Sequence, residues 1–262
     1  MSNYKYLTLQ ETQDVTTITL NRPDAANALT VEMARELMLA ANACDESASV
    51  RAVILTGAGK FFCAGGDVQA FGDAGDKVGE LAKEITAYLH AAISRFARMK
   101  APLIVAVNGA AAGAGFSMAI FGDLVLAAES AKFTVAYTGI GASPDGSASY
   151  FLPRIVGLRR AQELMLTNRR LSAAEALDWG LVTRTVPDEK LMPEAQQLAA
   201  QLAAGPRLAH GVVKQLLIST FNESLETQME LESRGIASSL SNKDGEEGIA
   251  AFLGKRKPTF RL

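Results

Sequence analysis

Two short glycine-rich segments hold the chemistry most readily read from this chain: Cys63-Ala64-Gly65-Gly66-Asp67 and Gly113-Ala114-Gly115. Each stands where a strand-like run gives way to a helix-like one. A backbone N–H left unpaired at such a place can donate to an oxygen that becomes negative during a reaction, and the start of a helix adds a favourable partial charge. Two such donors would form an oxyanion hole. The same glycines would also serve tight turns and close helix packing, and alone they do not decide between the two readings. The second segment is no phosphate loop, because it lacks the Lys-Ser/Thr of that motif. Of the two histidines, His90 lies beside the apolar stripe Leu81, Ile85, Tyr88, Leu89 and Ala92, on a face with Thr86 and Ile93. A side chain that titrates near neutrality suits acid–base work there, and equally a packing role. His210 has no acidic or cysteine partner at metal-ligand spacing and reads as structural, so no metal is expected.

The elements that must position these residues follow from periodicity. Val15-Thr16-Thr17-Ile18-Thr19-Leu20 reads as a strand stopped by the turn Asn21-Arg22-Pro23-Asp24. Thr30 is placed to cap a helix carrying Val31, Ala34, Leu37, Met38 and Ala41, and Arg51 to Thr56 reads as a buried strand. After the first glycine-rich loop, the His90 helix closes at Arg95, Arg98, Lys100 and Pro102. Leu103-Ile104-Val105-Ala106-Val107 is a short apolar strand, and the small residues from Ala110 to Ile120 suit a closely packed helix. Asp123 to Ala128 and Phe133 to Val135 are further strands. Past Pro153 the pattern becomes almost wholly helical, with a capping box at Ser172-Ala173-Ala174-Glu175, a stop at Gly180, and helices over 189–204, 208–220 and 223–240. Trp179, the sole tryptophan, and Met33, Met38, Met118, Met165 and Met192 read as packing.

Composition narrows the function classes. Lys and Arg total 26 against 28 Asp and Glu, a formal charge of -2, which leaves no electrostatic footprint for nucleic acid or an anionic membrane. Two cysteines, Cys44 and Cys63, are too few for a disulfide framework, so a reducing, cytoplasmic setting is expected. Met1 to Lys5 run into polar residues, and secretion or membrane spanning is not expected. At 262 residues with 48% hydrophobic side chains, the chain is long enough to bury a full core.

Asn21-Arg22-Pro23 with Asn27-Ala28-Leu29, Phe62 to Asp67, Pro102 through Asn108-Gly109 to Gly115, and Leu152-Pro153-Arg154-Ile155-Val156-Gly157 together resemble the enoyl-CoA hydratase/isomerase family, also called the crotonase superfamily. The resemblance runs from about Val15 to Phe260. It implies an α/β fold, a crotonase-like spiral of repeated ββα units with a C-terminal helical region. The core that carries the acyl-CoA site is expected over residues 1–205, and a helical oligomerisation region, building a homotrimer or a dimer of trimers, over 206–262. The implied substrates are acyl-CoA thioesters, with coenzyme A as part of the substrate and no separate cofactor. On the matching motifs, the thioester oxygen would sit between the amides of Gly66 and Ala114. Coenzyme A would be contacted by Ala28, and by Phe252 and Lys255 reaching a neighbouring subunit's ligand. Lys255-Arg256-Lys257 read alone is equally a solvated basic tail.

The resemblance leaves the reaction open, because members vary the acid–base groups around the hole. Hydratases of the family use two glutamates, and the matching positions here are Ser117 and Tyr137. Neither is a carboxylate base at neutral pH, which argues against two-glutamate hydration. With Asp67, they are expected to line the substrate pocket. Asp145, within Ser143-Pro144-Asp145-Gly146, is a turn residue by composition. Certain enoyl-CoA and ring-oxepin isomerases and the 4-chlorobenzoyl-CoA dehalogenases place an aspartate there. Asp145 is therefore expected to carry a proton between carbons of an enoyl-CoA. The alternative is an aspartate-nucleophile dehalogenase or thioester hydrolase, in which His90 activates water; Tyr150 and the run from Leu158 to Arg169 look like the dehalogenases'. Tyr137 in place of their tryptophan, and Gly66 in place of a bulky aromatic, depart from that pattern. A non-catalytic acyl-CoA-binding protein is the third reading.

Overall fold

The computed structural model describes residues 4–260. Its first half is built from a strand–strand–helix unit used repeatedly. β1 (Leu7–Thr12) and β2 (Val15–Leu20) lead to α1 (Val31–Glu46). Then β3 (Ala52–Gly57) and β4 (Phe61–Cys63) lead to α2 (Val68–Asp73) and α3 (Val78–Arg98). β5 (Leu103–Val107) and β6 (Ala110–Ala112) lead to α4 (Ala114–Ile120), and β7 (Leu124–Ala128) and β8 (Lys132–Thr134) lead to α5 (Ala148–Val156). In the last three units the first strand joins a large sheet and the second joins a small one. The large sheet runs β1-β2-β3-β5-β7-β10 and the small one β4-β6-β8-β9, where β9 is Leu171–Ser172 and β10 is Arg184–Val186. The expected spiral of ββα units is therefore observed.

Local sequence explains the parts. β3 and β5 are apolar along their length and almost fully buried, as parallel strands covered on both faces must be. Thr30 caps α1 by accepting from the Met33 amide at 3.2 Å, and Ser172 and Glu175 complete the capping box of α7 (Ala173–Asp178). α1 packs against α3, and α8 (Leu191–Ala203) packs across β3, β5 and β7.

The structure departs from the expected elements at three places. β1, which pairs antiparallel with β2, precedes the expected strands and shows no apolar run, because Leu7–Thr12 is mostly exposed and polar. Residues 110–120 are not one helix: Ala110–Ala112 pairs in parallel with β4 and β8, and only from Ala114 does the chain turn helical. Three alanines have no strand preference of their own, so pairing alone sets their conformation. Beyond Pro153, β9 and β10 extend the two sheets, and they lie among α6 (Leu158–Thr167), α7 and α8.

The C-terminal helices α9 (Arg207–Ser219), α10 (Leu225–Leu240) and α11 (Lys243–Leu253) follow. α9 is tied to the core by Lys214, whose buried ammonium donates to Phe96 O and Ala101 O at 2.9 Å and pairs with Asp123 at 2.8 Å. All three ammonium hydrogens are engaged. Arg51 donates to Ala203 O and Gly205 O, while Arg207 donates to Val50 O and Ser47 O. Trp179 is clasped between the Arg160 and Arg169 guanidinium groups, which gives it the packing role expected of it.

Candidate active site

Strand pairing brings the two glycine-rich turns together. β4 and β6 run parallel, with Phe61 opposite Ala110 and Cys63 opposite Ala111, so Gly66 and Ala114 each follow the carboxyl end of neighbouring strands. A β-carbon on Gly65, at φ +102°, would lie 2.9 Å from Ala112 O and 3.4 Å from Ala114 N. One on Gly115 would lie 2.1 Å from Cys63 O. Only glycine allows this contact between α4 and the end of β4.

The amides flanking Gly66 are used: Leu29 N donates to Gly65 O at 2.7 Å, and Asp67 N donates to Leu29 O at 3.0 Å. Among the described residues no acceptor takes the hydrogen of Gly66 N or Ala114 N. A half-buried and a buried residue thus each keep a free donor at one junction.

Asn27, a residue with no role assigned from sequence, braces this junction. It is wholly buried at φ +54°; its Oδ1 accepts from Arg22 N at 2.9 Å, and its Nδ2 is shared among Ala58 O, Phe61 O and Phe62 O. Cys63 Sγ donates to Asn27 O at 3.1 Å, and burial pushes that thiol up to about 12, so it stays a protonated donor. Asp67 follows directly. Its carboxylate takes Arg22 Nη1 at 2.7 Å and the Ala70 amide at 3.2 Å, capping α2. Partial burial pushes its carboxyl up, but Arg22 and the Ala70 amide outweigh that and hold it below the usual range. Arg22 also donates to Ala28 O at 3.1 Å, placing half-buried Ala28 beside the same turn. The ring of Phe71 lies over Gly66, where a β-carbon would come within 2.7 Å of it.

One turn along α4 from Ala114, Ser117 begins a second network. Its hydroxyl contacts Tyr137 Oη at 2.9 Å and donates to Asp145 O at 2.9 Å. Tyr137 Oη in turn donates to the Asp145 carboxylate in a short hydrogen bond. Burial first, then the charge of Asp145 and the hydrogen bond to it, raise the phenol's pKa above the ordinary tyrosine value. The hydroxyl therefore remains a donor at neutral pH. Gly146, at φ +57°, donates its amide to His90 Nε2 at 3.1 Å, and the same nitrogen lies 4.0 Å from Asp145 Oδ2. A nitrogen accepting from an amide carries no proton, so in this contact the ring hydrogen of His90 stands on Nδ1. The Asp145 and His90 side chains are 25% and 52% exposed, which leaves both open to a ligand.

The structure thus brings together Asp145, His90, Ser117 and Tyr137, and separately joins Gly66 to Ala114, with α4 linking the two groups. Phe252 and Lys255 lie elsewhere. Phe252 is 83% exposed on α11, in a groove with Pro206, Ala209, Ile249 and Phe260, and Lys255 is exposed just beyond it. His210, on α9, lines a cleft with Asp123 and with Lys214 one turn further along the same helix. Among the described residues no cluster of His, Cys, Asp and Glu is arranged to hold a metal, and no helix is long and apolar enough to cross a membrane.

A protein-family model described as enoyl-CoA hydratase/isomerase matches residues 10–261. The 1,2-epoxyphenylacetyl-CoA isomerase of Escherichia coli (strain K12) is 39% identical over 247 residues, 94% of each chain. The 4-chlorobenzoyl coenzyme A dehalogenase-2 of an Arthrobacter species is 35% identical over 259 residues, 98% of this chain and 94% of that one. Among solved structures, an enoyl-CoA hydratase from Polaromonas sp. JS666 superposes with a TM-score of 0.93 at 35% identity, covering 97% of this chain and 99% of the other.

Proposed function

Since this chain belongs to the enoyl-CoA hydratase/isomerase family, we propose that it shifts a double bond in an enoyl-CoA thioester, with Asp145 as the proton carrier. The thioester oxygen is taken by the two unpaired amides of Gly66 and Ala114. Asp145 removes a proton from an activated carbon of a β,γ-unsaturated acyl group. The electron pair moves into the carbonyl, and the resulting enolate is held by the two amides. The proton returns from Asp145 to a different carbon, so atoms and charge balance with no other reactant. Tyr137 and Ser117, at the positions where family hydratases carry glutamate, act as positioning residues for this carboxylate.

The observation that carries this reading is the hydrogen bond from Tyr137 to Asp145. With Ser117 and Tyr137 at the two glutamate positions, Asp145 is the carboxylate that this network holds. The test is conversion of a β,γ-enoyl-CoA to its α,β isomer by the purified protein, followed by nuclear magnetic resonance in heavy water. Deuterium should enter the product only as far as the proton on Asp145 exchanges with solvent before it returns, and the conversion should vanish in Asp145→Ala.

A second reading, aspartate-nucleophile dehalogenation or hydrolysis of an aryl-CoA, is favoured by the 4.0 Å approach of His90 to Asp145 and by the dehalogenase relative. It requires His90 to leave Gly146 and take a proton from water. In a single turnover, oxygen from labelled water would then pass through the Asp145 carboxylate. A non-catalytic acyl-CoA-binding role predicts tight binding without turnover of any thioester.

The proposal extends to assembly and setting. Exposed Leu225, Met229, Ile236 and Leu253 on α10 and α11 support self-association as a homotrimer or dimer of trimers, with Phe252 and Lys255 reaching a neighbouring subunit's coenzyme A. Light scattering would read the mass. A cytoplasmic location accords with the two buried free cysteines.

A further inference from the structure

Two clefts meet at Tyr150. The inner one, about 400 Å³, is lined by His90, Ile93, Ser94, Arg98, Ser147 and Asn222. The outer one, about 470 Å³, has the largely apolar wall Pro102, Leu124, Ile155, Val213, Leu217 and Phe221. Ala97, Tyr150, Phe151 and Ile218 line both. Each volume lies in the range of a small-ligand site.

The residue at the boundary is held from several sides. Tyr150 Oη donates to Ile218 O at 3.0 Å, a carbonyl in the last turn of α9 that has no partner within its own helix. Asn222 Nδ2 reaches the same hydroxyl at 3.4 Å. The Arg154 guanidinium lies 3.7 Å over the ring, and the Phe151 ring meets it edge-on at 5.1 Å. Tyr150 thereby bridges α5 and α9 across the passage between the clefts. None of the proton-transfer steps at Asp145 uses it. Beyond this bar the outer groove is also lined by Asp123, Lys214, His210 and Arg154; Asp123 and Lys214 pair with each other at 2.8 Å and present no free ammonium to a ligand, and Arg154 lies over the Tyr150 ring.

We infer that Tyr150 is the specificity-determining partition of the acyl site: it confines the acyl group to the inner cleft and shuts a longer chain out of the apolar outer groove. This rests on the reading of the His90–Asp145 side as the acyl-CoA site. The occupant of the outer groove, once opened, is the far end of a long, unbranched acyl chain. Its apolar wall and the lining it shares with the inner cleft favour methylene groups over a polar ligand.

The test measures calorimetric affinities of saturated acyl-CoA thioesters, from butanoyl to dodecanoyl, which bind without reacting. In the wild type, affinity gains should stop once the inner cleft is full. In Tyr150→Ala they should continue, raising the dodecanoyl-to-butanoyl affinity ratio at least about tenfold, the smallest discrimination that one methylene gives in an apolar pocket. Adding Leu217→Trp, which fills the outer groove, should cancel the gain. A ratio unchanged in Tyr150→Ala overturns the partition. Should that variant not fold, Tyr150→Phe carries the test: it drops both hydrogen bonds of the hydroxyl, and its ratio should rise in the same direction, an unchanged ratio again being contrary. Failure of the underlying site reading looks different, since every thioester would then bind no better than free coenzyme A, whatever its length.

Discussion

Tyr137 donates its hydroxyl hydrogen to the carboxylate of Asp145, across a turn in which Ser117 contacts both residues. The bond aims one Asp145 oxygen at the phenol and leaves the other, Oδ2, toward His90. A hydrogen bond to a charged group is worth about 1.5–3 kcal/mol, so Tyr137→Phe should lower kcat by about ten- to a hundredfold. KM should change little, because the phenol holds the base rather than the coenzyme. Steady-state kinetics of the two proteins read this directly.

The same contact sets a pH dependence of stability. The folded-state pKa of Tyr137 is raised above its unfolded value, by burial first and then by Asp145. Its contribution is fully present below about pH 10, the unfolded tyrosine value, and is lost as pH rises beyond it. The difference in urea stability between wild type and Tyr137→Phe should therefore stay constant from neutral pH to about pH 9 and shrink above pH 10.

His90 separates the two enzymatic readings. Glutamine can still accept the Gly146 amide hydrogen through its carbonyl oxygen, but it cannot take a proton from water. Isomerisation by His90→Gln should stay within about tenfold of wild type, since the reaction keeps its base. In a His90-dependent hydrolysis, the same variant would accumulate an ester on Asp145, visible by mass spectrometry of the intact protein.

Gly115 fixes the spacing of the two free amides. In Gly115→Ala the new methyl would stand 2.1 Å from Cys63 O, a backbone atom, so α4 must move away from β4. Overpacking of this kind costs about 1–3 kcal/mol. A lowered melting temperature should accompany a fall in kcat larger than that from any loss of folded protein.

At the other end of the chain, Glu247 grips Arg256 through both oxygens, at 2.6 and 2.7 Å, and accepts the Thr259 amide. The Arg256 hydrogen bond and the Thr259 amide pull its carboxyl down to about 2. The clamp is fully present above about pH 4.3, the ordinary glutamate value, and is lost as pH falls from there toward about 2. Protection from hydrogen exchange over residues 254–260, taken relative to the intrinsic rate at each pH, should fall in that window, and in Glu247→Gln it should already be low at neutral pH.

The apolar strands β2, β3, β5 and β7, the cap of α1 and the two glycine-rich turns are legible because they rest on local signals, whereas the ββα repeat and the pairing of Gly66 with Ala114 come from the family resemblance. β6 was hidden because Ala110–Ala112 takes its conformation from strands distant in sequence. The ion pair of Asp67 is hidden for a similar reason: its partner Arg22 stands 45 positions away, and nothing near Asp67 announces it. Asn27 gave one overlooked sign, an asparagine in a proline-containing turn, a residue type suited to its left-handed backbone. In the sequence Tyr137 shows only that it is no carboxylate base; its part as a donor depends on Asp145 returning to the same wall.

The central claim, that Asp145 carries the proton, is met most directly by comparing Asp145→Asn with the wild type on one β,γ-enoyl-CoA, measuring isomerisation and thioester affinity together. Asparagine keeps the side chain's size and its contact with Tyr137 but accepts no proton at neutral pH. The account predicts a kcat lowered by about a thousandfold or more with affinity within about threefold. An Asp145→Asn protein that isomerises at close to the wild-type rate would contradict it.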